Sequence, residues 1–122
     1  LHEPRFTLLP GVKPWVKGVA NLRGQLLPIM DLCGFFGIEL SPLRKQRRVL
    51  VLEYKEVFVG LQVDEVQGMQ HFAHADLNTD TQTLPHPVFA PYVQGHFAAE
   101  HLWWVFSPFA LARAPQFWAV AV

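Results

Sequence analysis

Residues 14–32 run Pro14-Trp15-Val16-Lys17-Gly18-Val19-Ala20-Asn21-Leu22-Arg23-Gly24-Gln25-Leu26-Leu27-Pro28-Ile29-Met30-Asp31-Leu32. The pair Arg23-Gly24 decides how the stretch is read. It separates two short apolar runs, residues 18–22 and 25–30, and a glycine in so short a connection predicts a β-hairpin. Gly18 and Gly24 suit close backbone approach or a positive φ. Pro28 interrupts the second run. It lacks a backbone donor, so an edge or a bulge is expected there. Asp31 precedes Leu32-Cys33-Gly34-Phe35-Phe36 and is placed to cap one helical turn.

Outward from this hairpin, residues 10–14 read as a loop, and residues 39–46 as a second loop with a basic cluster of Arg44, Lys45, Arg47 and Arg48. Residues 48–54 predict a strand, Lys55-Glu56 a tight turn and residues 57–63 another strand. Alternation puts Val57, Val59, Leu61 and Val63 on one face, and Phe58, Gly60 and Gln62 on the other. Asp64-Glu65 marks a bend, and residues 66–72 are expected to add a third strand. Residues 74–86 are polar and irregular, continued by Pro85, Pro87 and Pro91. A last hairpin is expected from residues 92–98 and 102–106 across Ala99-Glu100-His101, followed by a short helix over residues 108–113 capped by Ser107. No helical period and no internal repeat is visible. Closely spaced short strands predict an all-β barrel or sandwich. Val19, Leu27, Ile29, Val49, Val51, Val59, Leu61 and Val63 are its expected core.

The chain has 122 residues, one domain's worth, with ten basic and ten acidic residues. That balance gives no electrostatic reason to expect nucleic acid as a partner. The chain is 51% hydrophobic and 16% charged, so either the core is large or apolar surface is reserved for a partner. Cys33 is the single cysteine, which excludes an internal disulfide and favours a reducing, cytoplasmic setting. No apolar run reaches the roughly eighteen residues that a spanning helix needs. The first residue is Leu1 and not Met, so further residues are expected upstream.

The sequence offers little for catalysis. Ser41 and Ser107 each precede or follow structure-breaking proline and stand in no nucleophile turn. Cys33 sits among apolar residues, where a free cysteine packs. His71 and His74, and His96 and His101, lack the company of a metal motif. Asp31, Glu53, Asp64 and Glu65 are the acid–base candidates, but Asp31 and Asp64 fall at strand ends, where capping roles prevail. Gly11, Gly18 and Gly24 do not make a phosphate loop. No catalytic residue, metal or cofactor is expected. The aromatics Trp103, Trp104, Phe106, Phe109, Phe117 and Trp118 crowd the C-terminal end. They serve either as core and docked tail or as a docking surface. Alternation sends Trp103 and Trp104 to opposite faces.

The stretch quoted above resembles the signature of CheW-like domains, P-x-[FW]-[IV]-x-G-[VL]-x-[NL]-L-R-G-x-[IVL]-[IVL]-P-[VI]-x-D-L, without a gap from Pro14 to Leu32. Val59-Gly60-Leu61-Gln62-Val63-Asp64-Glu65-Val66 is similar to the family's V-G-x-x-V-D-x-V segment, and residues 102–113 resemble its closing strand and helix. Trp15, Cys33 and the aromatic tail look most like the branch serving type IV pilus (twitching-motility) chemosensory systems.

The resemblance implies two packed SH3-like β-barrels over residues 1–122 as a single CheW-like domain. The two strands that usually open the family are largely missing, so the first barrel is expected to be incomplete and prone to strand-swapped homodimerisation. It further implies a non-catalytic adaptor, which binds the cytoplasmic tip of a methyl-accepting chemoreceptor and the regulatory domain of a CheA-type histidine kinase. No direct membrane insertion is implied. Arg23 takes the place of the family's receptor-binding arginine, with Asn21, Gly18 and Gly24 around it as expected partner-binding positions. The residue-level alternative for Arg23 is an exposed salt bridge within the domain, which contributes about 1 kcal/mol or less. Two other functions stay open: a regulatory domain belonging to a larger histidine kinase or receiver-containing protein, and a small enzyme on an SH3-like barrel.

Overall fold

The computed structural model describes residues 4–38 and 44–121. They fall into two units. The first takes in residues up to Gln67 and then Pro115 onward, and the second spans Gly68–Ala114.

The first unit is built on a sheet of β1 (Val16–Leu22), β2 (Gln25–Asp31), β3 (Arg48–Tyr54) and β4 (Val57–Val63), in the order β1-β2-β4-β3. β1 and β2 form the expected hairpin, with Leu22 paired to Gln25. Both turn residues are left-handed, Arg23 at φ +53° and Gly24 at φ +82°. This matches the right-handed twist of the flanking strands. The Asn21 carboxamide oxygen accepts the Gly24 N–H at 3.0 Å and braces the turn.

Pro28 lies in the hairpin's second strand, at neither an edge strand nor a bulge. Its partner Val19 gives both its backbone groups to Thr7, at 2.8 and 3.0 Å. Val19 and Pro28 are therefore a non-hydrogen-bonded pair, and the Pro28 nitrogen faces away from β1. On that far side the parallel pairing with β4 begins only at Ile29, so the missing N–H interrupts no ladder.

β3 and β4 pair from Arg48–Val63 to Tyr54–Val57 around Lys55, at φ +52°. β4 has no outward face over its centre, since Val59, Gly60, Leu61 and Gln62 are all buried. The expected alternation between core and surface fails because β4 lies between two other strands with apolar groups on both sides. Ala20, Leu27, Ile29 and Val49 form the core, with Phe6, Leu22 and Phe58 packed against it. Gly60 makes room for it. A Cβ there would stand 2.7 Å from Val49 and 2.8 Å from Ile29. Val51 is 37% exposed, against expectation, and Val19 and Val63 are half-buried.

α1 (Leu32–Phe35) follows β2, with Asp31 at the N-cap position but without the capping hydrogen bond expected of it. The expected loop over residues 39–46 lies outside the described residues except for a 3-10 turn at Arg44–Gln46. The C-terminal segment completes this unit. α3 (Pro115–Trp118) delivers Phe117, 1% exposed, against Trp15 and Phe35 at ring separations of 5.9 and 5.4 Å. The Lys13 N–H then donates to the Val120 carbonyl at 2.8 Å. Phe117 is thus core, whereas Trp118 is 40% exposed.

No strand forms over residues 66–72. Gly68 is left-handed at φ +96°, and Val66 and Met69 are 53% and 84% exposed, so this run has neither a continuous extended backbone nor a face to bury. The second unit consists of β5 (Val93–Ala99) and β6 (His101–Phe106), preceded by 3-10 turns at His74–Asp76 and Pro87–Tyr92 and followed by α2 (Pro108–Ala112). The Ser107 hydroxyl accepts the Ala110 N–H at 3.2 Å, the expected cap. Trp103 and Trp104 each find partners on their own face. Trp103 lies near Phe72 and His101, and Trp104 lies 4.7 Å from the buried His96.

A repeat that the sequence hides is plain in the backbone. Trp15-Val16-Lys17-Gly18 and Tyr92-Val93-Gln94-Gly95 open the two hairpins with the same register shift, and Gly18 and Gly95 sit at φ +149° and +151°. Each glycine passes under a second backbone, Thr7 and Asn78 respectively, which a Cβ would strike. Each hairpin turns on a left-handed charged residue, Arg23 or Glu100 (both φ +53°). Each ends with an N–H donated to the opening aromatic's carbonyl at 2.7 Å, Asp31 to Trp15 and Ser107 to Tyr92. A short helix then follows.

Two substitutions test this account of the first unit. Gly60→Ala overpacks the core and is expected to cost about 1–3 kcal/mol, read from the urea unfolding midpoint. Phe117→Ala is expected to cost about 3–5 kcal/mol, against less than about 1 for Trp118→Ala.

Candidate protein-docking site

The Leu22–Gln25 turn carries three of the four expected site residues to the surface. Asn21, Arg23 and Gly24 are exposed, and no carboxylate among the described residues forms an ion pair with Arg23. Gly18 does not join them. It is buried beneath Thr7, where it permits close backbone approach, a packing role set by the missing Cβ.

Beside the turn lies a hollow of about 170 Å³ lined by Leu22, Arg23, Gln25, Val51, Glu53 and Phe58. Leu22, Val51 and Phe58 make its apolar part, while Arg23 and Glu53 supply opposite charges. Leu26, the second residue of β2, is 73% exposed on the opposite face of the sheet. Of these, Arg23 was a partner-binding candidate from sequence, and Glu53 was named only as an acid–base candidate. Val51 and Glu53 arrive through the β3–β4 register and the parallel pairing of β4 to β2, a non-local arrangement that local pattern does not encode.

The hollow has donors, one carboxylate and apolar wall, but no nucleophile next to a base. It is suited to receive a side chain from another molecule. Cys33 is elsewhere, within α1. Burial first, then the Asp64 and Asp31 carboxylates, push its thiol up from 9.0 to about 11, against a downward pull from Arg47. A thiol so placed stays protonated near neutral pH and is a poor nucleophile. One Asp31 carboxylate oxygen, Oδ1, is buried without a hydrogen-bond partner among the described residues. Two of the histidines have structural company: His96 Nδ1 lies 3.1 Å from the Asp80 carbonyl, and the His101 ring is tilted 35° against Trp103 at 4.4 Å. Among the described residues no three His, Cys, Asp or Glu side chains converge as metal ligands, and no helix is long and apolar enough to cross a membrane.

Comparison with known proteins bears on this arrangement directly. The family model of the CheW-like domain matches residues 1–116. The chain belongs to the CheW-like domain family. Within it, the chain is 62% identical to protein PilI of Pseudomonas aeruginosa, over 100% of this chain and 68% of that protein. It is 36% identical to the chemotaxis protein CheW of Bacillus subtilis over 52% of this chain and 40% of that one. Protein FrzA of Myxococcus xanthus is 29% identical over 84% of this chain and 57% of its own length. The aligned part of these last two relatives is thus well under two thirds of their length. The crystal structure of the scaffolding protein TtCheW from Thermoanaerobacter tengcongensis superposes with a TM-score of 0.73 at 20% identity, covering 95% of this chain and 79% of that one. That likeness speaks to fold, and it agrees with an all-β CheW-like architecture of two SH3-like barrels. The CheW-like match ends at residue 116, one residue before Phe117 enters the first unit's core.

The Cys33 environment gives a checkable rate. At pH 7.5 the thiolate fraction is about a hundredfold below that of an unperturbed thiol, so iodoacetamide should alkylate the folded chain slowly, and the rate should rise towards pH 11. Alkylation at the speed of a free cysteine peptide at neutral pH would contradict the described burial.

Proposed function

We propose that this CheW-like domain is a non-catalytic adaptor of a chemosensory system, working in the cytoplasm. In this reading it binds the helical cytoplasmic tip of a methyl-accepting chemoreceptor and the regulatory domain of a CheA-type histidine kinase. The observation that carries the reading is the exposed, Asn21-braced Arg23 turn beside an apolar hollow. A guanidinium offers five donors in a fixed fork, well matched to carboxylates and carbonyls on a helical partner. Similarity to PilI along the whole chain favours the type IV pilus branch and favours a separate adaptor over a regulatory domain within a larger kinase.

The backbone supports a role for Arg23 in contact. A left-handed φ of +53° costs an arginine about 1–2 kcal/mol relative to the right-handed region, a cost that glycine avoids. The turn needs this left-handed backbone, which glycine would supply at less cost, so the arginine side chain is read as the reason for its presence.

Arg23→Glu is therefore expected to weaken binding to a receptor-tip fragment at least about tenfold, while the unfolding midpoint moves by no more than about 0.5 kcal/mol. Arg23→Gly should lose the same binding with stability unchanged or raised. Calorimetric titration and denaturant melts on the same samples check both. Full binding by either variant would remove Arg23 from the site.

A further inference from the structure

We propose that residues 115–121 act as a detachable strap over an aromatic box, and that with the strap open the box receives the phenylalanine of a Pro-x-Phe turn carried by another protein. The walls of the box are Trp15, just before β1, and Phe35, the last residue of α1, with Phe36 5.3 Å from Phe35. The strap supplies the plug. The Phe117 ring lies 18° from parallel to Trp15 at 5.9 Å and edge-on to Phe35 at 5.4 Å, both favourable arrangements for aromatic pairs.

Burial divides sharply along the strap. Phe117 is 1% exposed, whereas Pro115, Gln116, Trp118 and Ala119 on either side of it are exposed. The strap's backbone is tied to the rest of the unit at Lys13, whose N–H donates to the Val120 carbonyl at 2.8 Å, beside a bridge between Val12 and Ala121. One deeply buried ring and this short bridge hold seven residues in order, and every ordered residue costs conformational entropy. A segment with so few buried contacts opens locally, ahead of the sheet beneath it. The walls are held by other means. The Asp31 N–H donates to the Trp15 carbonyl at 2.7 Å, and Val16 pairs with Met30, so the base of the β1–β2 hairpin keeps its shape when the strap leaves.

The structural repeat shows where the first unit differs. Asp31 and Ser107 are equivalent, and four residues beyond them stand Phe35 and Leu111. Leu111 is 0% exposed, while Phe35 is half-buried even with Phe117 against it. The first repeat thus keeps aromatic surface at a position that the second has closed.

The occupant follows from the plug. The box seats a phenylalanine presented by Pro115-Gln116-Phe117, where proline presets the first helical residue, so the same turn offered by another chain fits it. An aromatic anchor in a pocket then centres the contact. The strap competes for its own site, and the apparent affinity for a partner falls by the fraction of chains that are open. The box lies at the base of the β1–β2 hairpin and Arg23 at its tip, so this inference is independent of the receptor reading.

The test joins hydrogen exchange to peptide titration on the full chain. In the wild type, the Lys13 amide is expected to show a protection factor at least about tenfold below those of the β3–β4 ladder amides. A fluorescein-labelled peptide of residues 114–121, titrated with protein to about 0.5 mM and followed by anisotropy, is expected to bind Phe117→Ala at least about tenfold more tightly than wild type. It should also restore Lys13 protection in that variant, because it brings both a phenylalanine and the accepting carbonyl. The peptide with alanine in place of its phenylalanine should bind neither protein. If Phe117→Ala leaves the β3–β4 ladder unprotected, Phe117→Leu carries the titration, with binding at least about threefold tighter than wild type. Lys13 exchange no faster than the ladder amides overturns the proposal. So does a peptide that binds wild type and variant alike, or binds neither. A wild-type dimer that the peptide dissociates overturns it as well, by giving the box to the strap of a second copy.

Discussion

The Arg23-Gly24 turn sets the register on which everything else in the first unit rests. With Leu22 fixed opposite Gln25, Leu27 falls opposite Ala20 and Ile29 opposite Gly18, and both apolar residues of β2 enter the core. A slip of one residue would turn Leu27 and Ile29 outward and Leu26 inward. Two left-handed residues and one Asn21 hydrogen bond prevent it. The same geometry holds Arg23 and Leu26 at the surface. The constraint that organises the core and the one that displays the candidate site are thus a single turn, which is why a glycine and an asparagine there serve fold and surface together.

How much of this could be read from the residues alone depends on how local the cause was. The hairpin around Arg23-Gly24, the β3–β4 pair around Lys55-Glu56 and the Ser107 cap follow from neighbours in sequence, and all were legible. The two-sided burial of β4 was not, because it depends on β2 pairing in parallel from 31 residues away. Nor was the absence of a strand over residues 66–72, where Val66, Met69 and Phe72 recur every third residue, Gly68 breaks the backbone and no partner strand is offered. Of the site, Arg23, Asn21 and Gly24 were legible through the turn and the family resemblance. Val51, Glu53 and Phe58 come from the other hairpin, and only the sheet order brings them to Arg23. The repeat escaped notice because its two copies share little more than Val-x-Gly. What recurs is a backbone path, and only glycine is required to follow it.

The contrast between the buried and exposed polar groups separates binding from chemistry. Cys33, the one soft nucleophile, is held protonated by burial and by two carboxylates. His96 is held on the Asp80 carbonyl and against Trp104. The polar groups at the hollow are the Arg23 guanidinium and the Glu53 carboxylate, with the Asn21 carboxamide bracing the turn beside them, groups better at recognition than at bond making. An apolar hollow between such groups has the composition of a contact surface, with a hydrophobic centre and a charged rim.

The first unit is discontinuous. The chain leaves it at Gln67 and comes back at Pro115 to insert Phe117 between Trp15 and Phe35. On the ribosome the order of events follows from this. Gly68–Ala114 is one uninterrupted stretch and can close on itself as it emerges, whereas the sheet made earlier must wait, with Trp15 and Phe35 uncovered, until residues 115–121 have been synthesised. The sheet is thus made before the second unit and finished after it, and in that interval the Trp15–Phe35 pair lies uncovered.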